Sequence, residues 1–366
     1  MLLQPRPAIS KLVPCTHGGI NYAELGELGI SPESILDFSV SCNPFGPPPG
    51  IAESLGNTSI ERYPDSETNE LRQSLAKKLN ITPENVITGS GSTELIRLVA
   101  IAYFGSEDSI LIPYPTYGEY EIACHLVNAQ VLKQPVLKAP DFQLDMAETV
   151  QLIQKHQPKG IFLCNPNNPT GQYLAKKEVQ QILSTAKDSL VILDEAYIAF
   201  TENSWTSLDL PNRGNLVILR SMTKDYALAG LRLGYAIAAE PIISVLERVR
   251  PPWNVSAVAQ KAGVTALNAD GYLRECGNRI QEARDFLVRE LSRLGLSPLA
   301  SRTNFFMVEV GDAAKLRQAL LEKGILVRDC TSFGLPGYIR LAPRTLPECH
   351  KLIAAMKDVG VCSHAS

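Results

Sequence analysis

The chain has 366 residues, of which 45% are hydrophobic and 20% are charged, and its formal net charge at pH 7 is −3. This length allows a large hydrophobic core and predicts two domains, and the composition is that of an ordinary globular protein. A slightly acidic chain offers no bulk electrostatic attraction to nucleic acid or to an anionic membrane, so neither is expected as a partner.

The eight cysteines are dispersed along the chain and include no Cys-x-x-Cys pair. This usage is typical of reduced thiols in the cytoplasm, and it predicts neither a disulfide framework nor a metal site. The first residues lack the apolar segment of a signal peptide, and no apolar run approaches the length of a membrane span. We therefore expect a cytoplasmic protein.

The first 50 residues read as a loop-rich arm, with many prolines between residues 37 and 49. Proline favours extended backbone over helix, so the arm is expected to lie over a cleft or over a second subunit. His17 and Asn43 are candidates for contact with a polar ligand, although a lone histidine is more often structural.

Between residues 85 and 220, short apolar segments alternate with helical patterns. The predicted strands are 85–88, 109–112, 131–132, 160–164, 189–193 and 216–219. This alternation predicts an α/β fold with a mostly parallel sheet and helices on both faces, and ligands bind at the carboxyl ends of such strands. The sheet is expected to end after residue 224, where helices at 241–248 and 256–267 follow.

A long amphipathic helix is predicted at residues 272–294, and short strands and helices alternate after it. This tail predicts a small α+β domain. The expected organisation is an N-terminal arm (1–50), a large domain (51–250), and an interdomain helix with a small C-terminal domain (251–366).

A glycine-rich turn, Gly-Ser-Gly-Ser-Thr-Glu at residues 89–94, joins the first predicted strand to an apolar helix. Free N–H groups at a helix start bind anions, and the hydroxyls of Ser92 and Thr93 add donors. The glycine spacing fits neither a Walker A loop nor a dinucleotide fingerprint, so the expected anion is not a nucleotide's phosphate. Many such turns use Gly and Ser only as helix caps.

Other candidate side chains follow other strands. Tyr117 lies just past a strand end, where an aromatic ring can stack on a flat heterocycle or pack in the core. Asp194 ends a hydrophobic strand, and a buried carboxylate requires a cationic or N–H partner.

Lys224 lies after the last predicted strand among hydroxyl side chains, and Arg232 follows it in the chain. A lysine that bonds to an aldehyde must be neutral, and burial or nearby cationic charge lowers its pKa. Ser221, Thr223 and Arg232 can hold a phosphate beside it. A lone Ser-x-x-Lys is more often a solvated loop, so this hypothesis depends on the other motifs.

Four motifs occur in order: Asn-Pro-Thr-Gly at 168–171, Asp-x-x-Tyr at 194–197, Ser-x-x-Lys at 221–224, and Arg232. Together they resemble the pyridoxal-phosphate-dependent aminotransferases of fold type I, class I/II, over nearly the whole chain. The resemblance implies a PLP-dependent transferase-like fold, pyridoxal 5′-phosphate as cofactor, and a homodimer.

The resemblance also implies a role for each matching residue. Lys224 is catalytic and bonds to the cofactor's aldehyde, Asp194 pairs with the pyridine nitrogen, and Tyr117 stacks on the ring. Asn168 and Tyr197 hydrogen-bond the ring hydroxyl. The residues implied to hold the cofactor's phosphate are Ser92, Thr93, Ser221, Thr223, Arg232 and, from the neighbouring subunit, Tyr63.

Two subfamilies share these motifs. The chain resembles L-threonine-O-3-phosphate decarboxylase in His-Gly-Gly at 17–19, in the arm at 36–47 and in the tail at 327–330 and 340–345. It resembles histidinol-phosphate aminotransferase in Pro-Thr-Tyr-Gly at 115–118, Asn-Asn-Pro-Thr-Gly at 167–171 and Leu-Ala-Gly-Leu-Arg at 228–232. The first interpretation is decarboxylation of L-threonine O-3-phosphate to (R)-1-amino-2-propanol O-2-phosphate in cobalamin biosynthesis. The alternative is transamination of histidinol phosphate or a related amino acid.

Both interpretations imply a small phosphorylated amino-acid or amino-alcohol substrate. Arg340 is implied to take the substrate's α-carboxylate. In the decarboxylase interpretation, the residues around the substrate's phosphate are His17, Asn43, Arg328 and Arg344. The loop at 331–337 departs from the decarboxylase pattern, which weakens the assignment of these phosphate contacts.

Overall fold

The computed structural model describes residues 3–10, 12–138, 141–210 and 214–360. The strands are β1 (Leu36–Asp37), β2 (Val86–Ser90), β3 (Ser109–Tyr114), β4 (Gln130–Pro135), β5 (Gly160–Cys164), β6 (Leu190–Asp194), β7 (Leu216–Ser221), β8 (Leu233–Ala238), β9 (Phe306–Glu309), β10 (Ile325–Leu326), β11 (Arg328–Asp329) and β12 (Tyr338–Leu341). The helices are α1 (Pro7–Ser10), α2 (Tyr22–Leu28), α3 (Ile51–Gly56), α4 (Asn69–Leu79), α5 (Ser92–Tyr103), α6 (Glu119–Leu126), α7 (Met146–His156), α8 (Lys176–Thr185), α9 (Glu240–Val249), α10 (Ala257–Leu267), α11 (Tyr272–Arg293), α12 (Ala313–Leu321) and α13 (Leu346–Asp358).

A seven-stranded sheet in the order β2-β8-β7-β6-β5-β3-β4 forms the centre of the fold. Strands β4, β3, β5, β6 and β7 are mutually parallel, and β8 runs antiparallel between β7 and β2. The carboxyl ends of β2, β5, β6 and β7 therefore lie along one edge of the sheet, where ligands bind in such folds. The predicted α/β class and mostly parallel sheet are confirmed.

Hydrophobic clusters cover both faces of this sheet. Ile161 and Leu163 of β5 belong to one cluster, whereas Phe162 between them belongs to the other. Successive side chains of a strand point to opposite faces, so a strand buried on both faces reads as a continuous apolar run. This is why these strands were recognisable in the sequence.

The expectation that the sheet ends after residue 224 is wrong, because β8 follows the Lys224 loop and is buried along its whole length. Antiparallel strands need only a short connection, and residues 222–232 provide it between β7 and β8. Gly234 of β8 makes this packing possible. A Cβ at that position would lie 2.7 Å from the backbone nitrogen of Ser92, so glycine lets the start of α5 approach the sheet.

The N-terminal arm contains a helix that the sequence analysis did not predict. The Oδ1 atom of Asn21 accepts hydrogen bonds from the N–H groups of Ala23 (3.1 Å) and Glu24 (3.3 Å) at the start of α2. Gly29 ends the helix in the left-handed conformation. The prolines that argued against helix lie after this segment, so they do not interrupt it.

The arm is tied to the C-terminal part of the chain. Strand β1 pairs in parallel with β10, and Phe38 is buried in the hydrophobic cluster formed by α11, α12, α13 and the antiparallel sheet β11-β12-β9. Helix α10 packs against α3 and α4. The division of the chain into residues 1–50, 51–250 and 251–366 stays a prediction. Within the described residues, no helix combines the length and apolar character needed to cross a membrane.

Candidate active site

A cavity of about 260 Å³ opens at the carboxyl edge of the seven-stranded sheet, between that edge, the N-terminal arm and the C-terminal elements. Most of the predicted site residues line it. They are His17, Ser92, Thr93, Tyr117, Asn168, Asp194, Tyr197, Ser221, Thr223, Lys224, Arg232, Arg328 and Arg340.

One wall of the cavity is suited to an anion. The start of α5 places the N–H groups of Ser92 and Thr93 beside the end of β7, where the Ser221 and Thr223 hydroxyls lie 2.7 Å apart. Gly91 has φ 77° and ψ 165°. A Cβ on this residue would lie 2.7 Å from Nη2 of Arg232, so glycine leaves room for the guanidinium. This wall combines backbone donors, hydroxyls and a fixed cation.

Lys224 is half-buried in the cavity wall. Burial lowers the pKa of its amine, and the neighbouring cations Arg340 and Arg232 lower it further. A lower pKa increases the fraction of neutral amine, which is the form that attacks a carbonyl carbon.

Asp194 ends β6 and is only 3% exposed. Its carboxylate accepts hydrogen bonds from the Tyr120 hydroxyl (2.7 Å) and from the Ala196 N–H (3.0 Å). Burial raises the pKa of Asp194 to about 6, although both hydrogen bonds oppose this shift. Tyr120 is not among the site residues predicted from the sequence. It also stacks on Phe162 with ring centroids 4.8 Å apart, so it packs in the core and positions the acid.

Arg340 and Asn168 are joined across the cavity. Nη1 of Arg340 donates to Oδ1 of Asn168, and Nη2 donates to the backbone oxygen of Ser39 at 2.7 Å. Arg340 is 5% exposed, and among the residues that the structure describes its Nε has no hydrogen-bond partner. Because its bonded acceptors are uncharged, the cation retains a strong attraction for an anion.

Arg328 is the second buried cation at this cavity. Its Nη2 donates to the backbone oxygen of Thr16 (2.7 Å) and to the Ser332 hydroxyl (2.6 Å), both uncharged acceptors. Burial lowers the pKa of Arg328, with Arg340 as the next cause. Two buried guanidiniums in one cavity suit a ligand that carries anionic groups.

The structure does not bring Asn43 and Arg344 into the cavity lining, so their predicted contact with the substrate's phosphate requires correction. The Asn43 side chain donates to the backbone oxygen of Asp225 (3.0 Å), and its N–H donates to that of Lys224 (2.8 Å), which positions the lysine loop. Arg344 forms an ion pair with Glu348 (2.8 Å) at the start of α13.

Tyr63 also lies outside the cavity of its own chain. Its side chain is 78% exposed and stacks on Trp253 with ring centroids 4.4 Å apart. Its contact with the cofactor of a second subunit therefore stays a prediction.

Glu119 was not predicted from the sequence, and it contacts His17, which lines the cavity. Its carboxylate is buried and contacts His17 Nε2 (3.1 Å) and Arg97 Nη2 (3.1 Å). The hydrogen bond to His17 is the largest contribution that lowers the pKa of Glu119, which burial opposes. The available signal was an acidic residue directly after the Pro-Thr-Tyr-Gly motif. His17 thus contacts a carboxylate in addition to lining the cavity.

The side chains that line the cavity fit pyridoxal phosphate. A neutral amine suits its aldehyde, an acid suits its pyridine nitrogen, and Tyr117 suits the ring face. The anion-binding wall, kept open by Gly91 and Gly234, suits its phosphate.

Comparison with known proteins agrees with this chemistry. Residues 33–356 match the family "Aminotransferase class I and II". The chain is 35% identical over 312 residues to a histidinol-phosphate aminotransferase of Thermoanaerobacter pseudethanolicus, covering 84% of this chain and 87% of that one.

Two solved structures share the fold. A histidinol-phosphate aminotransferase from Sinorhizobium meliloti, in complex with pyridoxal-5′-phosphate, has a TM-score of 0.86 at 23% identity and 98% coverage of both chains. The L-threonine-O-3-phosphate decarboxylase from Porphyromonas gingivalis has a TM-score of 0.78 at 28% identity, covering 88% of this chain and 98% of that one. The chain therefore belongs to the class I and II aminotransferases, enzymes of fold type I that use pyridoxal 5′-phosphate.

Proposed function

We propose that this chain transfers an amino group between a small phosphorylated amine, with histidinol phosphate as the first candidate, and a keto acid. The observation that carries this proposal is the similarity of the chain to histidinol-phosphate aminotransferases over most of its length. The two buried cations of the cavity are consistent with anionic substrates. This reaction is the alternative interpretation of the sequence.

The roles of the cavity residues follow from their positions. When bound, pyridoxal phosphate supplies an electron sink for the charge left when a bond at the substrate's α-carbon breaks. Asp194, oriented by Tyr120, places a negative charge in the cavity where the pyridine nitrogen is expected. Lys224 has a lowered pKa, so its neutral amine can accept the proton lost from the substrate's α-carbon and then donate it to a second carbon atom.

Arg340 and Arg328 orient the substrate. We assign Arg340 to the α-carboxylate of the keto acid, since histidinol phosphate has no carboxylate, and Arg328 to a second anion such as the phosphate of histidinol phosphate. Which bond at the substrate's α-carbon breaks would depend on how these two arginines orient the substrate. Because Arg340 also bonds Asn168, which we assign to the ring hydroxyl, the substrate's anion and the ring are oriented by one connected pair.

Decarboxylation of threonine phosphate is a second candidate with its own supporting observation. The His-Gly-Gly segment on which that resemblance rests contributes His17 and Gly18 to the cavity, next to Arg328. An arm in this position would hold the phosphate of such a substrate while Arg340 holds its carboxylate. Because a decarboxylase with a similar fold has been solved, an assay of this chain should test decarboxylation beside transamination.

One assay distinguishes the two reactions. The purified, cofactor-loaded chain is incubated with histidinol phosphate or with threonine phosphate, each with and without 2-oxoglutarate. We expect glutamate to form only when histidinol phosphate and 2-oxoglutarate are both present. Release of carbon dioxide from threonine phosphate without a keto acid would reject the transaminase proposal in favour of the decarboxylase.

The control is Lys224→Ala, which removes the amine that we assign to proton transfer. We expect turnover to fall at least about 100-fold in this variant, the contribution typical of a positioned acid–base group. Undiminished cofactor-dependent turnover would reject the role of Lys224 in either reaction.

A further inference from the structure

Three side chains with different metal-binding atoms meet at the edge of the cavity. The Cys15 thiol, the His17 imidazole and the Glu119 carboxylate each have a ligand atom within 4.8 Å of the other two. His17 Nε2 and Glu119 Oε1 are 3.1 Å apart. In a tetrahedral zinc site, bond lengths of about 2.0–2.3 Å separate neighbouring ligand atoms by about 3.3–3.6 Å. Movements on the order of 1 Å would therefore close these atoms around one ion.

The surrounding residues favour this grouping. A Cβ at Gly118 would lie 2.6 Å from Cys15 Sγ, so the glycine leaves room for the sulfur beside the start of α6. Arg97 donates to Oε2 of Glu119 at 3.1 Å, which orients the carboxylate and leaves Oε1 on the His17 side. Hydrogen bonds of this kind to ligating carboxylates strengthen metal sites.

The cluster is also accessible and chemically selective. The His17 side chain is 49% exposed and Cys15 is half-buried, so an ion can reach them from solvent. A thiolate with an imidazole and one carboxylate favours Zn²⁺ over Mg²⁺ or Ca²⁺, which prefer oxygen ligands.

We propose that Cys15, His17 and Glu119 form a Zn²⁺ site at the mouth of the cavity, with water as the fourth ligand. The Cys15 thiol releases one proton to solvent as its sulfur binds the ion. Cys15 and His17 belong to the arm, whereas Glu119 belongs to α6, so the ion links the arm to the large sheet's helical layer. The link lies beside Tyr117, whose ring centroid is 5.8 Å from that of His17.

The test uses the tag-free, cofactor-loaded chain after treatment with a chelator, in the absence of any substrate. Titration with Co²⁺ reports tetrahedral thiolate coordination through visible bands at longer wavelengths than the cofactor absorbs, and displacement by Zn²⁺ gives the zinc affinity. We expect one ion per chain. We expect Cys15→Ser to weaken zinc binding at least about 100-fold, and Glu119→Gln at least about tenfold.

A second histidine–glutamate pair provides the matched control. His125 Nε2 lies 3.5 Å from Glu121 Oε1 on α6, outside the cluster, so His125→Gln should leave the cobalt spectrum and the zinc affinity unchanged. The absorption of the bound cofactor shows that each variant is folded. Equal zinc affinity in the unsubstituted chain and in Cys15→Ser, or a cobalt spectrum without tetrahedral bands, would overturn the site.

Hydrogen exchange tests the link between the arm and α6. Zinc should slow exchange of the amides near residues 15–19 in the unsubstituted chain and leave them unchanged in Cys15→Ser. Exchange that zinc does not alter in either protein would overturn the link. These measurements require no turnover. They therefore test the zinc site independently of the proposed transamination.

Discussion

Lys224 and Asp194 share one cavity, and burial shifts their pKa values in opposite directions. Burial disfavours the charged form of each group, so the amine tends towards neutrality and the acid holds its proton up to about pH 6. Each neutral form has a consequence. A neutral amine is ready to react with an aldehyde, whereas a neutral acid cannot attract a pyridinium.

The pH dependence of cofactor affinity tests the role of Asp194. Its folded-state pKa of about 6 lies above the usual value, so the carboxylate is charged above pH 6 and neutral below it. We expect the affinity for pyridoxal phosphate to fall by up to about tenfold per pH unit as the pH drops below 6. The titration is done in Lys224→Ala, where the amine cannot contribute.

The control for this titration adds Asp194→Asn to the same background. Its affinity should be low throughout and lack the step near pH 6. A step of equal size in the double variant would show that another group titrates.

At the scale of single elements, the start of α5 packs closely against β8 because glycines lie at the contact. Gly91 precedes α5, and Gly234 of β8 lies under the first N–H of that helix, so the helix start, the Lys224 loop and Arg232 converge on one anion-binding wall. Side chains on these two glycines would occupy space within the anion-binding wall. The wall is thus a property of how two elements pack.

Substitution of Gly91 tests this wall. Gly91→Ala would place a Cβ against Arg232 and force alanine into a backbone conformation open mainly to glycine, at a cost of about 1–3 kcal/mol. We expect pyridoxal phosphate to bind at least about tenfold more weakly, measured by titration of the cofactor-free chain.

Gly277→Ala is the control, because Gly277 lies inside α11 and a Cβ there would contact no other group within 4 Å. It should keep full cofactor affinity and raise the free energy of unfolding by about 0.5–1 kcal/mol. Equal cofactor affinity in the Gly91 and Gly277 variants would contradict the claim that the anion-binding wall requires glycine at position 91.

Across the whole molecule, the N-terminal arm connects the parts that form the site. Ser39 accepts a hydrogen bond from Arg340 near the C-terminal sheet, and Asn43 donates one to the backbone of Lys224. The arm therefore sets the distance between the residues that we assign to the substrate and to the cofactor. Tyr63, further along the chain, is exposed beside Trp253 on the surface.

A complementation experiment tests the predicted homodimer and the contact of Tyr63 with the second subunit's site. We expect Tyr63→Ala and Lys224→Ala each to be impaired alone. In a mixed dimer, the Tyr63→Ala chain keeps its lysine and receives Tyr63 from the other chain, so one complete site forms. Activity of the refolded mixture should rise well above that of either variant.

Sedimentation of the unsubstituted chain checks the dimer directly. A monomer at micromolar concentration, or a mixture no more active than the sum of its parts, would reject this role of Tyr63.

Local patterns in the sequence were sufficient for most of the fold. Strands buried on both faces, such as β5 and β6, are continuous apolar runs, and helices α7 and α11 show the helical period. The motifs around Asn168, Asp194 and Lys224 also lie at the carboxyl ends of strands, where ligands bind to parallel sheets. Their convergence on one cavity follows from that topology.

The sequence by itself determined the α/β class, the family and most of the residues that line the cavity, because these depend on periodicity and on motifs of a few adjacent residues. Only the tertiary structure decided that β8 inserts antiparallel into the sheet, that Tyr120 supports Asp194, and that Asn43 and Arg344 lie outside the cavity. It also brought His17 to Glu119, 102 residues further along the chain. Contacts of this kind depend on how elements pack in space, and sequence spacing carries no record of that packing.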